Sequence, residues 1–479
     1  MAADAAGAVE EFWDRVARYK QLGMDPLKWI AGCAVKVDLT SVVYPALRQI
    51  RPELQRIGVK ISPRADADVF PSGDSGPKFH RRIYNLGEPN VDPADLGRLG
   101  PDRAISLVQV HQRSADKPGP FAEALLRLYR QMEPAKPHFT VGKGHSIITP
   151  FAQSQFALFD FIKEGKGSPD GYTVANNDTI QVIDPTLDPA SKEQAYVAVS
   201  NSLNDLLTLA TCEDLQLRPV VDAPTPEMKA QILRNMEAFA KAHGLEFVET
   251  PQPETGKLIM GATVVGRIRK EPPVAPRGVE PGMEIVVSRP FGDLAPINVY
   301  LSSLADEEYL KKLEAESISL EQARKAKEDV VKTMTRPNIA IGRILNRYCP
   351  PFGGRFDPDR HVSGTGDLSG PGVYIFKEFA ELAKFDLRLD DLPLKYPEYV
   401  EFATREFIMD NGTAGTNGAV AAIGRPSVIR AIADEMRKAG YDPRVIGKVT
   451  GPGAGSVQAP KALERYMASR KLLSEFILQ

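Results

Sequence analysis

The stretch Asp367-Leu368-Ser369-Gly370-Pro371-Gly372 is followed directly by the apolar run Val373-Tyr374-Ile375-Phe376. Its two glycines allow a positive φ or a close approach of the backbone to a ligand. We predict that the apolar run begins a helix, whose first N–H groups and positive dipole end suit a phosphate. Asp367 is placed to hold a metal ion that neutralises the same phosphate. Taken alone, a surface turn capped by Asp and Ser is the simpler explanation, and similar segments elsewhere are needed to favour a ligand site.

The composition is typical of a globular protein and of neither a nucleic-acid-binding nor a membrane protein. The chain has 479 residues, enough for two or three domains with sizeable cores. Its formal net charge of −2 provides no basic field for nucleic acid. No apolar run is long enough to span a membrane. We therefore expect small-molecule partners, no nucleic acid and no membrane.

The cysteines and the N-terminal residues indicate a reducing compartment. Cys33, Cys212 and Cys349 are far apart and form no CxxC pair, so neither a zinc site nor a disulfide framework is suggested. Residues 1–11 are Ala-rich and acidic without an apolar h-region, so we do not expect a secretory signal. A cytoplasmic location is the expectation.

A second candidate site is the stretch Gly32-Cys33-Ala34-Val35-Lys36. A nearby lysine lowers the pKa of a thiol and can also contact phosphate. A buried small cysteine beside a solvated lysine explains the same residues without any function.

Three further segments place acidic or amide side chains where they need a partner. Asp66 and Asp68 alternate, so an extended chain would point both to one face, as a metal site or a solvated strand edge. Asp178 lies in a predicted strand at 172–183, where acidic residues are disfavoured unless a ligand or partner takes the charge.

Asn201 and Asp205 are four residues apart in a predicted helix at 191–209 and so share a face. Either this face has a polar partner, or the end of the helix lies in solvent. The Pro-rich charged segment at 271–278 is the best candidate for a linker between domains.

In order and character these segments resemble the selenophosphate synthetases, within the superfamily that includes aminoimidazole ribonucleotide synthetase. The stretch at 32–36 is similar to the family's Gly-Cys-x-Cys-Lys loop, with Val35 where the second cysteine usually stands. The other matching segments are 64–70 (Arg-Asp-Asp-Ala-Ala-Val-Tyr in the family), 177–179 with 183–185 (Thr-Thr-Asp-Phe-Phe and an Asp-containing turn), 201–205 (Asn-Ala-Ile-Ser-Asp), 367–372 (Asp-Val-Thr-Gly-Phe-Gly) and 410–418 (Asp-Pro-Gln-Thr-Ser-Gly-Gly).

The resemblance implies roles for particular residues of this chain. It makes Cys33 and Lys36 catalytic. It implies Mg²⁺ ligands, which are Asp66, Asp178, Asp205 and Asp367. It also implies contacts to ATP, which come from Lys36, Asp66, Asp178, Asn201, Gly370 and Gly372.

The resemblance further implies a fold and an activity. The fold would be α+β with two domains, an N-terminal sheet that forms a barrel across a homodimer and a C-terminal α/β sandwich. The predicted boundaries are an N-terminal ATP-binding domain at 1–270, with an inserted block at about 76–168, a C-terminal domain at 280–455 and a helical tail at 456–479. The reaction would use ATP and Mg²⁺, with K⁺ as a further candidate cofactor, to convert selenide or sulfide into a selenophosphate-like product, AMP and phosphate.

Two departures leave alternatives open. The family's Gly-Gly-His-Ser segment is absent near 248–251, and the block at about 76–168 separates the first two aspartates. They favour another ATP-dependent synthetase or kinase of the superfamily, one that phosphorylates a small oxygen or sulfur nucleophile and releases ADP. A nucleotide-binding regulator without turnover is the second alternative. The four aspartates with Lys36 argue against it, because a binder needs fewer metal ligands.

Overall fold

The computed structural model places the segments that form two sheets and the helices around them. The described residues are 2–24, 44–56, 60–61, 140–141, 147–150 and 171–479, without 181, 251, 253–255, 257, 407, 410 and 469–472. Cys33, Lys36 and Asp66 lie outside the described residues, as does most of the block at about 76–168.

The described residues form eleven α-helices and fourteen strands. The α-helices are α1 (Ala2–Gln21), α2 (Tyr44–Arg56), α3 (Lys192–Thr208), α4 (Pro226–His243), α5 (Leu294–Ala305), α6 (Glu307–Ala315), α7 (Leu320–Met334), α8 (Ile339–Arg347), α9 (Ile375–Ala383), α10 (Pro397–Arg405) and α11 (Pro426–Lys438). The strands are β1 (Lys60–Ile61), β2 (Thr140–Val141), β3 (Ile147–Pro150), β4 (Tyr172–Ile180), β5 (Glu213–Asp222), β6 (Glu246–Phe247), β7 (Ile259–Ile268), β8 (Glu284–Val287), β9 (Gly364–Asp367), β10 (Phe385–Leu389), β11 (Val420–Gly424), β12 (Arg444–Pro452), β13 (Val457–Ala459) and β14 (Phe476–Leu478).

The first sheet consists of strands that precede the Pro-rich segment at 271–278. Its order is β1-β2-β3-β4-β7-β5-β6. The centre is antiparallel, because β7 pairs with β4 on one side and with β5 on the other. Strand β4 has the position predicted for it and carries Asp178 opposite Ala262 of β7.

The second sheet consists of strands that follow the same segment, in the order β14-β13-β10-β12-β8-β11-β9. Strand β9, at one edge, ends at Asp367 and pairs with β11 in an antiparallel register. The structure therefore confirms a mixed α+β architecture with two sheets. The barrel across a dimer and the exact domain boundaries stay predictions.

The prediction of a helical tail at 456–479 is wrong for the described residues of that segment. Strands β13 and β14 add to the second sheet in parallel, with a short 3₁₀ helix (Lys461–Arg465) between them. In β13, Val457 and Ala459 are buried and alternate with the more exposed Gln458, as in a strand with one face on the core.

Local sequence explains why the helices begin and end where they do. Helix α4 begins with a Thr225 N-cap and Pro226 in its first turn, and it ends at Gly244, whose φ of 68° suits glycine. Helix α7 begins with a capping box in which Ser319 and Gln322 satisfy each other's backbone N–H groups.

Helix α3 brings the two sheets together. It packs on β4 and β7 of the first sheet and contacts β9 of the second, as well as α4, α7 and α8. It is buried on most of its circumference, so its polar residues face protein rather than solvent. This excludes the alternative in which the Asn201 region is a helix end in solvent.

None of the helices in the described ranges combines the length and the apolar character that a membrane span requires.

Candidate functional site

The first part of the site is an aspartate in β4 that is held by an asparagine from α3. The Asn201 side-chain amide donates to Asp178 Oδ2 at 2.5 Å, and the Thr179 backbone N–H donates to Asp178 Oδ1 at 2.8 Å. Ser202 Oγ donates to the carbonyl of Asp178 at 2.9 Å and so fixes the strand against the helix. The sequence-based requirement that the charge of Asp178 find a partner is thus met by Asn201.

The second part is the aspartate at the end of β9. Asp367 is only 9% exposed, and its Oδ2 accepts from Ser369 Oγ and, at 3.3 Å, from the Asn204 side-chain amide. Asn204 lies on α3, one turn from Asn201. One helix therefore contacts both aspartates, one from each sheet.

Two further asparagines join these parts. The Asn417 backbone N–H donates to Asn201 Oδ1 at 3.0 Å. The Asn338 side-chain amide donates to Asn204 Oδ1 at 2.8 Å and to the carbonyl of Gly418 at 3.2 Å. Asn417 has a φ of 48°, and its own side-chain amide donates to the carbonyls of Met334 and Arg336. These bonds hold the loop before β11 against α3 and the end of α7.

A buried ion pair lies beneath the same loop. Arg289 donates to both oxygens of Asp293, at 2.9 and 2.8 Å, and also to the carbonyl of Asn417 at 2.9 Å. Asp293 is fully buried. The bidentate geometry offsets part of the desolvation cost of the two charges and fixes the position of Asn417.

The segment 369–372 differs from the prediction in one respect. A helix does follow it, first as a 3₁₀ turn (Gly372–Tyr374) and then as α9. However, the Gly372 N–H already donates to the Ser369 carbonyl, and the Val373 N–H donates to Thr413 Oγ1. None of the described residues accepts a hydrogen bond from the backbone N–H of Ser369 or of Gly370. The amides available to a ligand are therefore those of the loop, because the tight turn at Gly372 (φ 58°) uses those of the helix.

The structure places the predicted site residues in different positions. Asp178, Asn201 and Asp367 belong to one network, Gly370 lies in the adjoining loop, and Asp205 is a half-buried residue of α3. Gly372 shapes the turn, where an added Cβ would lie 2.2 Å from Thr413 Oγ1.

In the described part of the chain, no group of three or more His, Cys, Asp or Glu side chains is arranged to hold a metal ion. The role of Asp178, Asp205 and Asp367 as metal ligands therefore remains a prediction. Mg²⁺ characteristically takes one or two carboxylates and completes its shell with phosphates and water.

Sequence reasoning missed Asn204, Asn338, Asn417 and the Arg289–Asp293 pair. Asn204 lies inside the motif at 201–205 and faces the same way as Asn201 through the i, i+3 relation, so a signal for it existed. Asn338 and Asn417 had only the weaker signal of an asparagine in a Gly- or Pro-containing turn.

We expect Gly418→Ala to destabilise this site. A Cβ there would lie 2.4 Å from the backbone carbonyl of Leu368 and 2.7 Å from the Ser369 nitrogen, and backbone atoms cannot shift cheaply. The expected loss is about 1–3 kcal/mol of unfolding free energy, measured by urea titration. Gly451→Ala is the matched control, because nothing lies within 4 Å of its added Cβ. Equal stability of the two variants would contradict the packing described for Gly418.

The described residues thus define a mixed α+β protein whose two sheets meet at a network of aspartate and asparagine side chains. No protein-family model matches the chain, and no curated protein matches it. Among solved structures, the chain is similar to a protein from Thermus thermophilus, with 17% identity and a TM-score of 0.43 over 60% of this chain and 85% of that chain.

It is also similar to thiamine-monophosphate kinase from Stenotrophomonas maltophilia K279a, with 14% identity and a TM-score of 0.43 over 60% of this chain and 85% of that chain. A third similar structure is the hydrogenase maturation protein HypE in complex with ATP, with 15% identity and a TM-score of 0.41 over 60% of this chain and 81% of that chain. TM-scores this low decide nothing about function.

Proposed function

We propose that the protein is an ATP- and Mg²⁺-dependent phosphotransferase that activates a small nucleophile. One observation carries the proposal: Asp178 of the first sheet and Asp367 of the second are held by two asparagines of the same helix. Two carboxylates held by one helix suit Mg²⁺ ions whose remaining ligands are phosphate oxygens and water. Such ions neutralise charge on a phosphoryl group during its transfer.

The loop beside Asp367 supports a phosphate ligand. Ser369 and Gly370 are half-buried residues next to Asp367 in the chain, and no described residue accepts from their backbone N–H groups. Backbone N–H groups in such a loop bind anions, and Gly370 lets the ligand approach closely. In this role Asp178, Asp367 and Asp205 would hold metal, and Asn201 would orient Asp178.

The phosphoryl-transfer residues would come from the segment at 32–36. Lys36 would stabilise the charge that develops on the transferring group, and Asp66 would supply a further metal ligand. Cys33, as the thiolate, would handle the chalcogen nucleophile. The other two cysteines are poor candidates, because burial raises the pKa of Cys212 to about 11 and that of Cys349 to about 12.

Selenide or sulfide is the proposed nucleophile, with AMP, phosphate and a selenophosphate-like compound as products. A second candidate is a synthetase or kinase that acts on a small oxygen or sulfur nucleophile and releases ADP. The absence of Gly-Gly-His-Ser near 248–251 favours this candidate. In the structure, Val248 and Thr250 bond back to Leu217 and Pro219 of β5, so this segment is an ordinary sheet margin.

The experiment that tests both candidates measures nucleotide products with ATP and Mg²⁺, with and without selenide or sulfide. AMP that appears only with the chalcogen supports the first candidate. ADP without a chalcogen requirement supports the second. ATP binding with no turnover under any condition would contradict both and leave a nucleotide-binding regulator.

We also expect a homodimer. The resemblance to the selenophosphate synthetases implies a barrel in which the first sheets of two copies join, and such joining covers sheet edges. Sedimentation at micromolar concentration should show a dimer, and a species that stays monomeric there would contradict the expectation.

A further inference from the structure

A cavity of about 470 Å³ lies between the first turns of α3 and the second half of α7. Its lining includes Asp184, Lys192, Tyr196, Lys327 and Lys332. It shares no lining residue with the network around Asp178 and Asp367. Its volume falls in the range of about 300–1,000 Å³ that is typical of small-molecule sites.

One side of the cavity is a buried ion pair. Lys327 Nζ lies 2.9 Å from Asp184 Oδ2 and donates to Thr186 Oγ1 at 3.2 Å, and the side chains of Lys327 and Asp184 are 6% and 1% exposed. Burying such a pair rarely adds stability over an apolar pair of the same size. The ring of Tyr300 also lies beside this ammonium, with its centroid 5.4 Å from Nζ. Among the described residues, Lys327 therefore has two oxygen contacts and one aromatic contact, and it places a buried positive charge at this side of the cavity.

The other charges of the lining leave an excess of positive charge. Glu328 is paired with Arg324 at 2.6 Å, and Asp329, the acidic neighbour of Lys332 on α7, is paired with Lys395 at 2.6 Å. Among the described residues, neither Lys192 nor Lys332 forms an ion pair. Of the acidic residues that line the cavity, only Glu193 also forms no ion pair with a described residue.

We propose that this cavity binds a small organic phosphomonoester. Lys192 and Lys332 would pair with the two charges of the phosphate, and the buried charge of Lys327 would lie at the same side of the site. The cavity is larger than a phosphate ion needs, so it has room for the organic part of the ligand. The ring of Tyr196 forms a flat wall for that part. Lys192 Nζ lies 5.0 Å from the centroid of the same ring. The site is independent of the proposed function, since it uses none of its residues.

The cavity also adjoins the network around Asp178 and Asp367 through the end of α7. Ser200 Oγ donates to the carbonyl of Thr335, a lining residue, while the carbonyls of Met334 and Arg336 on either side accept from Asn417. A ligand on Lys332 would therefore contact the segment that positions Asn417.

The test uses pyridoxal 5′-phosphate, itself an aromatic phosphomonoester, as a covalent probe. Its aldehyde carbon condenses with a lysine ε-amine with loss of water, and borohydride then delivers hydride to the C=N bond, with a proton from water, to give a stable secondary amine. We expect mass spectrometry to map the adduct to Lys332 or Lys192. Phenyl phosphate should reduce this labelling about tenfold, and inorganic phosphate at the same concentration should reduce it much less.

Lys325 provides the matched control, because it lies on α7 outside the cavity, paired with Glu321 at 3.4 Å. Labelling of Lys325 should not respond to phenyl phosphate. Lys332→Gln should weaken phenyl phosphate binding about tenfold by calorimetry, whereas Lys325→Gln should not change it. Equal protection of Lys325 and Lys332, or equal protection by inorganic phosphate, would overturn the proposal. Because the adduct is mapped on the wild-type chain, the result does not depend on the folding of a variant.

Discussion

Asp367→Asn is expected to reduce ATP turnover about a hundredfold or more while the protein stays folded. The substitution removes the negative charge that would hold Mg²⁺ against the phosphates. It keeps an oxygen that can accept from Ser369 Oγ and from the Asn204 amide, so the network around the site survives. The measurement is kcat at saturating ATP over a range of Mg²⁺ concentrations, with unfolding by urea as the check on stability.

Asp205→Asn should show a comparable loss, since the same reasoning assigns Asp205 to the metal. The matched control is Asp442→Asn, which removes an exposed carboxylate paired with Arg444 at 2.9 Å and should leave turnover unchanged. Near-normal turnover in Asp367→Asn would show that Asp367 is not a metal ligand. A loss that excess Mg²⁺ restores would strengthen the assignment, because it separates metal affinity from folding.

The fold was predictable where local sequence and long-range packing agree. The spacing of Met228, Ile232, Met236 and Phe239 predicts an amphipathic helix over residues 226–243, and α4 spans these residues. Its caps are part of the local sequence, so no tertiary contact was needed to locate its ends. The tail at 456–479 was not predictable in this way, because its short strands exist only by pairing with β10 and each other.

The site was predictable only in part, for a related reason. Asp178 and Asn201 were identified because a charge in a strand and an amide in an apolar helix each require a partner. Asn338 and Asn417 gave no such conflict, since asparagine is ordinary in turns. Their importance comes from buried hydrogen bonds to segments distant in the chain, such as that from Asn338 to Asn204, and sequence spacing cannot show these.

Lys36→Ala and Cys33→Ser are expected to separate phosphoryl transfer from nucleophile handling. Lys36→Ala should damage all phosphoryl transfer about a hundredfold or more, because it acts on charge that develops in the transition state. Cys33→Ser should abolish chalcogen-dependent product formation and leave ATP binding nearly intact. The matched controls are Lys28→Ala, in the same stretch of sequence, and Cys212→Ser, whose thiol has a pKa raised by burial to about 11.

The measurement is ATP turnover with and without selenide or sulfide, together with alkylation of the cysteines as a function of pH. A thiol beside a lysine has a lowered pKa, so Cys33 should react below about pH 8, whereas Cys212 and Cys349 should remain protonated there. If Cys33 is instead a small core residue, Cys33→Ser costs about 1 kcal/mol of stability and chalcogen-dependent turnover is unchanged. That result would exclude selenophosphate synthesis. It would leave the ADP-releasing synthetase in place, because Lys36 and the aspartates would still be needed for its phosphoryl transfer.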